Sequence, residues 1–281
     1  MKHLLILILA LYFNRIVAQC DSAFTYYEEL PSNVTILVGD SCFLTKDINV
    51  LDSIVNKNDL DYQTPLELGT QTWFNGRLRF LVAGNYGNST GVNDTIYFLP
   101  ENMGDLDDLA SLYLEWNRIS ELPASFYKMS NLFSLYINNN IINYIGDSLG
   151  NLSNLYFLDL GYNKINYIPG SVCGLENLSY LWLFNNELDS LPDCFCDMQL
   201  NWNGNDNGGY PYFAIGANNL CNEISDCVYQ SENFELSLDQ FYYSFPVYSP
   251  QNCDANSTKN RDLTLPYQYT ISAPYPNPFN P

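Results

Sequence analysis

Between residues 109 and 192 the apolar positions follow neither a helical period nor a simple alternation; they recur every 23 residues. The segment opening Leu109-Ala110-Ser111-Leu112-Tyr113-Leu114 is repeated from Leu132, Leu155 and Leu178. Its fourth position is Leu112, Leu135, Leu158 and Leu181, and its sixth is Leu114, Ile137, Leu160 and Leu183. The ninth is always asparagine, at Asn117, Asn140, Asn163 and Asn186. Ile119, Ile142, Ile165 and Leu188 take the eleventh position, and Leu122, Ile145, Ile168 and Leu191 the fourteenth. In three copies a proline follows, at Pro123, Pro169 and Pro192. Leucines at positions four and six alternate in a short strand and point to one side. The asparagine turns the chain out of that strand, with an amide able to bond backbone groups of neighbouring coils. One coil cannot bury such a wedge by itself, so the pattern predicts coils stacked around a continuous core.

This pattern resembles the leucine-rich repeat family in its LxxLxLxxNxLxxLP form, which implies an α/β solenoid with a curved parallel sheet. The array extends beyond the four copies. Upstream, Ile96-Tyr97-Phe98-Leu99-Pro100 matches the second half of a repeat, with Phe80-Leu81-Val82-Ala83-Gly84-Asn85 as its strand and an insertion around residues 86–94. Downstream, Phe213-Ala214-Ile215-Gly216-Ala217-Asn218 restores the strand after an Asn/Gly-rich insertion at 201–209, and adds Asn218 to the asparagine ladder. About six coils over residues 77–225 are expected.

A stack needs caps at its ends. Residues 19–76 read as an N-terminal cap: Ile48, Leu51, Ile54 and Val55 lie at helical spacing after a capping Thr45, and a Cys20–Cys42 disulfide braces it. Trp73 and Phe74 are expected to cover the first coil. Residues 226–253 read as the C-terminal cap, since Cys194, Cys196, Cys221, Cys227 and Cys253 cluster as in the cysteine-rich caps of the family. Cys173 lies one period before Cys196 and is also within reach of Cys194, so its pairing stays open. All eight cysteines follow a segment that reads as exported, and none has the spacing of a structural zinc knuckle, which favours disulfides.

That segment, residues 1–18, has a basic start, an apolar run over 4–13 and a small residue at its end, the form of a secretory signal. Cys20 as a lipid-modified N-terminus is the rival reading. No stretch is long and apolar enough to cross a membrane. The chain carries 31 Asp and Glu against 11 Lys and Arg, and its one histidine, His3, lies in the signal. The mature chain therefore has no histidine, which excludes histidine-based catalytic dyads and His-ligated metals. Removing Lys2 and Arg15 as well leaves a charge of −22, which makes nucleic acid a poor partner. At the other end, Tyr275-Pro276-Asn277-Pro278-Phe279-Asn280-Pro281 resembles the opening of the C-terminal sorting domain of bacterial type IX secretion substrates. The resemblance implies that 254–281 is a linker and the truncated start of such a domain; a proline-rich tail is the alternative. It also makes the sequons at Asn33, Asn88, Asn93, Asn151, Asn177 and Asn256 incidental.

In this repeat, positions three, five, seven and eight face the concave side. They place Tyr113, Trp116, Tyr136, Asn138, Phe157, Asp159, Tyr162, Tyr180, Trp182, Phe184 and Tyr212 on one face, a candidate binding surface for a protein or a glycan at the cell surface. The competing reading is aromatic packing along an exposed sheet. Glu115 and Asp159 lie two coils apart, roughly 10 Å at a strand spacing of about 4.8 Å, beyond the range of a glycosidase pair. Asn201, Asn203, Asn205 and Asp206 imitate a calcium loop but lack the glycine at its sixth position. Neither catalysis, nor a metal, nor another cofactor is expected, and the sequence specifies no oligomer. The expected function is ligand binding by a secreted or cell-surface protein; the alternatives are a structural or adhesive spacer, or a carrier for a missing C-terminal domain.

Overall fold

The computed structural model describes residues 20–253 apart from 87–90, 93, 223, 242 and 244. The signal at 1–18, the linker and sorting motif within 254–281, and the sequons at Asn88, Asn93 and Asn256 lie outside the described residues. The stack is built from β5 (Arg77–Val82), β6 (Ser111–Tyr113), β7 (Ser134–Tyr136), β8 (Phe157–Asp159), β9 (Tyr180–Trp182) and β10 (Phe213–Ala214), which pair in parallel. In these pairings Leu81, Leu112, Leu135, Leu158, Leu181 and Phe213 stand directly opposite one another, a single buried row. Phe213 fills the leucine position in the last coil, where Trp202 meets it edge-on at 4.9 Å. Each of the first five coils returns along the convex side through a 3₁₀ turn. Three of these turns, Ala124–Lys128, Gly170–Gly174 and Asp193–Asp197, start directly after the repeat's proline, whose φ of −63°, −69° or −59° presets the entry.

The first coil departs from the sequence pattern by one residue. Leu81, not Phe80, pairs with Leu112, so Phe80 turns to the concave side and Leu81 and Ala83 fill the core. The ladder position is thereby occupied by Tyr86 instead of Asn85. Further out, β4 (Thr70–Phe74) runs antiparallel to β5, and β2 (Val34–Val38) pairs in parallel with β4 to end the eight-stranded sheet.

The asparagine ladder knits the coils together. In each coil after the first the Nδ2 donates to the carbonyls of positions six and seven and to position six of the preceding coil. Asn163, for example, bonds Leu160 and Gly161 at 3.1 and 3.2 Å, and Ile137 one coil back at 3.1 Å. Its Oδ1 accepts from the Ile142 N–H of that same preceding coil at 3.0 Å. Asn117, Asn140, Asn186 and Asn218 repeat the arrangement. Gln251 then takes the same role beyond the last coil: it accepts from Leu220 N–H and donates to Ile215 at 3.0 Å, its extra methylene bridging the wider gap. A second, exposed ladder is formed at the coil entrances, where Asn131, Asn154 and Asn177 donate to Asp107, Ser130 and Ser153 of the coil before at 2.7–2.9 Å.

The N-terminal end is closed by α1 (Thr45–Lys57), whose Ile48, Val50, Leu51, Ile54 and Val55 are buried against the first coils. Thr45 is the first helical residue and does not cap; its hydroxyl bonds Thr25, and no side chain caps the helix. Asp47 is fully buried and paired with Arg77, which also reaches Asp107 and Asp108, so one guanidinium holds helix to stack. Trp73 is buried under Phe43, while Phe74 stands exposed and covers nothing. Cys20 pairs with Cys42, Cys173 with Cys194, Cys196 with Cys227 and Cys221 with Cys253, leaving no free cysteine among the described residues. Such usage belongs to an oxidising compartment. No helix among the described residues is long and apolar enough to cross a membrane. After α2 (Asp226–Tyr229), a hairpin of β11 (Leu236–Leu238) and β12 (Pro246–Tyr248) is the last element among the described residues.

The two ladders differ in burial, which sets an expected difference in cost. Asn163→Ala strands several buried backbone groups and is expected to lower unfolding stability by on the order of 3 kcal/mol, whereas exposed Asn154→Ala costs under about 1 kcal/mol. Urea unfolding of both variants measures this; equal losses would contradict the role given to the inner ladder.

Candidate binding face

The strand spacing sets aromatic rings at stacking distance. Along the concave face Phe80, Tyr113, Tyr136, Phe157, Tyr180 and Tyr212 form a continuous ladder, with successive centroids 5.2, 4.5, 4.5, 4.8 and 4.8 Å apart. Phe80 stands at position three and Tyr113 and Tyr136 at position five; from the fourth coil, where Asp159 occupies position five, the ladder returns to position three. The three central pairs are stacked, an arrangement that stabilises a pair by about 0.5–1.5 kcal/mol beyond burial, and the two end pairs are tilted. The sequence-selected residues do share one face, but not as an open wall. Tyr113, Asn138, Asp159, Tyr180, Trp182 and Phe184 are buried, and Trp116, Tyr136, Phe157, Tyr162 and Tyr212 are half-buried.

The cover over positions seven and eight is the chain's own C-terminal hairpin. It crosses the last coil at Gly216, where a Cβ would come within 2.8 Å of the Glu235 and Leu236 backbone. Gly216 N–H donates to Leu236 and Ala217 N–H to Ser249. The hairpin then runs back over the face. Tyr162 donates to the Leu238 carbonyl at 2.7 Å, Asn185 to Ser237 at 2.6 Å, and Gln240 to Asn139 at 3.0 Å. Phe241 stacks on Trp116 at 5.7 Å, and Tyr243 packs among Tyr162, Trp182 and Phe184. A second hydrophobic core results, separate from that of the solenoid. Position eight is left-handed in every coil after the first, with φ between 51° and 60° at Trp116, Asn139, Tyr162, Asn185 and Ala217. Asparagine tolerates this conformation; Trp116 and Tyr162 are held in it by the hairpin packed against them.

Position two, absent from the sequence-based selection, carries two accessible rings of the repeats. Phe133 and Tyr156 lie parallel at 4.9 Å with 4° between their planes, and are 48% and 36% exposed. Tyr156 also leans on Tyr180 at 5.7 Å, so the pair continues the buried ladder outward. The signal was present in the sequence as two aromatics one period apart, directly before their strands.

The acids behave differently from what their spacing implied. Glu115 and Asp159 are both buried in the face, with Asn138 between them donating to Asp159 at 2.6 Å. Burial pushes Glu115 up to about 8, partly offset by a 2.5 Å hydrogen bond from the Tyr86 hydroxyl. Burial likewise pushes Asp159 up to about 7, against bonds from Gly161 N–H and Asn138. The calcium-like loop has its oxygens engaged internally: Asp206 accepts from Gly208 and Tyr210 N–H and from the Tyr180 hydroxyl.

Residues 177–198 match the Leucine Rich Repeat family model. No curated protein matches the chain in sequence. Among solved structures it is similar to a leucine-rich repeat protein of Leptospira interrogans, at 19% identity over 67% of this chain and 49% of that one, with a TM-score of 0.45. The chain thus spans about half the length of that protein. It is also similar to the leucine-rich repeat ectodomain of the receptor kinase SOBIR1 from Arabidopsis thaliana, at 19% identity over 62% and 92%, TM-score 0.47. A plant ice-binding protein matches at 20% identity over 63% and 57%, TM-score 0.47. The parallel strands and convex turns of the stacked coils form a solenoid, and its repeat carries the leucine-rich pattern.

Because a buried acid with a raised pKa sheds its proton at a cost to the fold, the Glu115 contribution to stability declines from the ordinary value of 4.5 up to about 8 and is level beyond. Tyr86→Phe removes the hydroxyl that favours the charged form, so the Glu115 midpoint is expected to rise above 8, as read by carbon-13 NMR of its carboxyl. A lowered midpoint would contradict the assigned hydrogen bond.

Proposed function

We propose that the chain is a non-catalytic binding module, exported from the cell, whose solenoid presents an aromatic strip to a protein or glycan ligand. The observation that carries this reading is the Phe133–Tyr156 pair: two parallel, exposed rings held in order by the strands behind them. Exposed side chains without a partner gain nothing from such ordering, whereas a flat apolar platform with a hydroxyl at its edge suits the face of a sugar ring or a partner's side chain. Tyr136 and Phe157 border the pair and continue the strip, while Trp182 and Phe184 serve the packing of the hairpin. The burial of Glu115 and Asp159 beneath Tyr86 and Tyr243 supports a non-catalytic role, since a substrate would have no path to them.

The same reading takes residues 1–18 as a cleaved signal, 19–76 and 226–253 as caps, 77–225 as the repeats and 254–281 as a linker to a type IX sorting domain. The disulfides and the charge of the mature chain suit a protein working outside the cell and not on nucleic acid. A spacer that merely gives reach is the competing reading.

The test is a screen of the purified chain against glycan and surface-protein arrays, followed by Phe133→Ala and Tyr156→Ala. Each substitution is expected to weaken the interaction by roughly tenfold or more, the loss of one aromatic anchor, with little effect on folding. Undiminished binding by the folded double variant would remove the strip from the function; no interaction with any ligand class would favour the spacer.

A further inference from the structure

The accessible ring pair belongs to a longer row. Position two of each coil is tied to the next by a backbone bond: Ala110 N–H donates to Arg79 at 2.9 Å, Phe133 to Ala110 at 2.8 Å, Tyr156 to Phe133 at 2.9 Å and Ser179 to Tyr156 at 2.9 Å. Arg79, Ala110, Phe133, Tyr156 and Ser179 therefore follow one another along one edge of the concave face, about 4.8 Å apart. Arg79 joins this row through a bulge. The pairing of β4 with β5 passes from Thr72–Phe80 to Trp73–Leu78, which makes Arg79 the extra residue. A bulge re-aims the side chain it carries, and this one leaves Leu78 and Leu81 in the core while the guanidinium stands at the rim. Arg77, two residues earlier, is engaged by Asp47, Asp107 and Asp108. Arg79 stays 3.8 Å from that same Asp108, too far for a hydrogen bond, and its side chain is 41% exposed.

We propose that the space over Ala110 is a slot for one aromatic side chain of a protein partner, whose ring takes the rung between Phe133 and Arg79 that alanine leaves short. This rests on the binding strip proposed for Phe133 and Tyr156 and names the chemistry that the strip selects. Phe133 lies against Tyr156 with 4.9 Å between centroids and 4° between planes, so its other face looks along the row toward Ala110. Tyr156, itself set against Tyr180 at 5.7 Å, backs Phe133 and keeps that face in place. A ring over Ala110 would continue the spacing of 4.5–5.2 Å that the neighbouring ladder already shows. From Phe133 to Arg79 is two strand spacings, about 10 Å, which accommodates one ring in contact with both walls. The two walls are chemically distinct. Phe133 offers a π face for stacking, and Arg79 offers a flat, weakly hydrated cation that is attracted to the negative face of an aromatic ring. An aromatic side chain satisfies both at once. A sugar ring can lay its C–H face on Phe133 but presents no π system to the guanidinium. Because strand, bulge and backing ring fix both walls beforehand, a partner's ring enters without ordering them.

NMR titration of the full chain with N-acetyltryptophanamide, a neutral single ring, and with methyl β-glucoside, a single sugar, tests the slot. The tryptophan probe is expected to bind with roughly millimolar affinity, more tightly than the sugar, and to give nuclear Overhauser contacts from its ring to the Ala110 methyl and the Phe133 ring. Arg79→Gln is expected to weaken it by about two- to fivefold, the worth of an exposed cation–π contact, and to leave the sugar unaffected. Ala110→Tyr fills the rung from within the chain and is expected to abolish binding of the tryptophan probe without loss of unfolding stability. Tighter binding of the glucoside, tryptophan binding that survives in folded Ala110→Tyr, or an Arg79→Gln chain that holds the probe as well as wild type would overturn the slot and leave the Phe133–Tyr156 strip standing. No contact of either probe with Phe133 would overturn both. Where Ala110→Tyr does not fold, the wild-type contacts decide: those to the Ala110 methyl support the slot, and contacts confined to Tyr156 overturn it.

Discussion

Each coil of this protein meets its neighbour through backbone groups that would otherwise be buried without partners, and one asparagine per coil meets that demand. Between coils the amide reaches backward only: Nδ2 donates to position six, and Oδ1 accepts from position eleven, of the coil before. This direction has a consequence at each end. At the start, no earlier coil offers the same groups, and a cap of helix and antiparallel strands, fastened by Arg77, closes the stack instead. At the finish, the last coil's own groups lie open, and Gln251 from the C-terminal segment supplies the missing amide. The caps answer different chemical deficits, which is why they differ in construction.

The spacing that the inner ladder enforces also governs the concave face. Strands held about 4.8 Å apart bring a ring at any shared position to stacking distance of the next. Whether those rings become a surface or a core then depends on what lies over them. At positions three and five they stack on one another; toward positions seven and eight the hairpin covers them; at position two they stand in solvent. One repeat pattern therefore yields three environments across a single face.

Much of the solenoid was legible in the sequence because its determinants are periodic. Leu112, Leu135, Leu158 and Leu181 could be aligned by counting, and so could the asparagines beside them. What escaped counting was non-periodic. The offset that puts Leu81 in the row depends on the antiparallel pairing of β4 and β5, and an insertion at 86–94 hid the correct register. The choice of Cys194 over Cys196 as partner of Cys173 depends on Cys196 turning to Cys227 across the cap. Above all, the docking of 236–248 over Trp116, Tyr162 and Trp182 is a contact between segments far apart in sequence, with no repeat to announce it. Phe133 and Tyr156 were visible but lay at a position not counted as facing the concave side.

The hairpin also accounts for two features that are unfavourable in isolation. A tryptophan and a tyrosine at left-handed φ carry backbone strain, and two acids without cations carry a desolvation penalty. A solenoid selected for stability alone would place asparagine at position eight throughout and an apolar residue at Asp159. Both departures occur under the same cover: Phe241 rests on Trp116, Leu238 accepts from Tyr162, and Tyr243 lies beside the acids. The disulfide and Gln251 pin the base of the hairpin to the last coil, and the strained residues and buried acids lie under the part of it that runs back over the face.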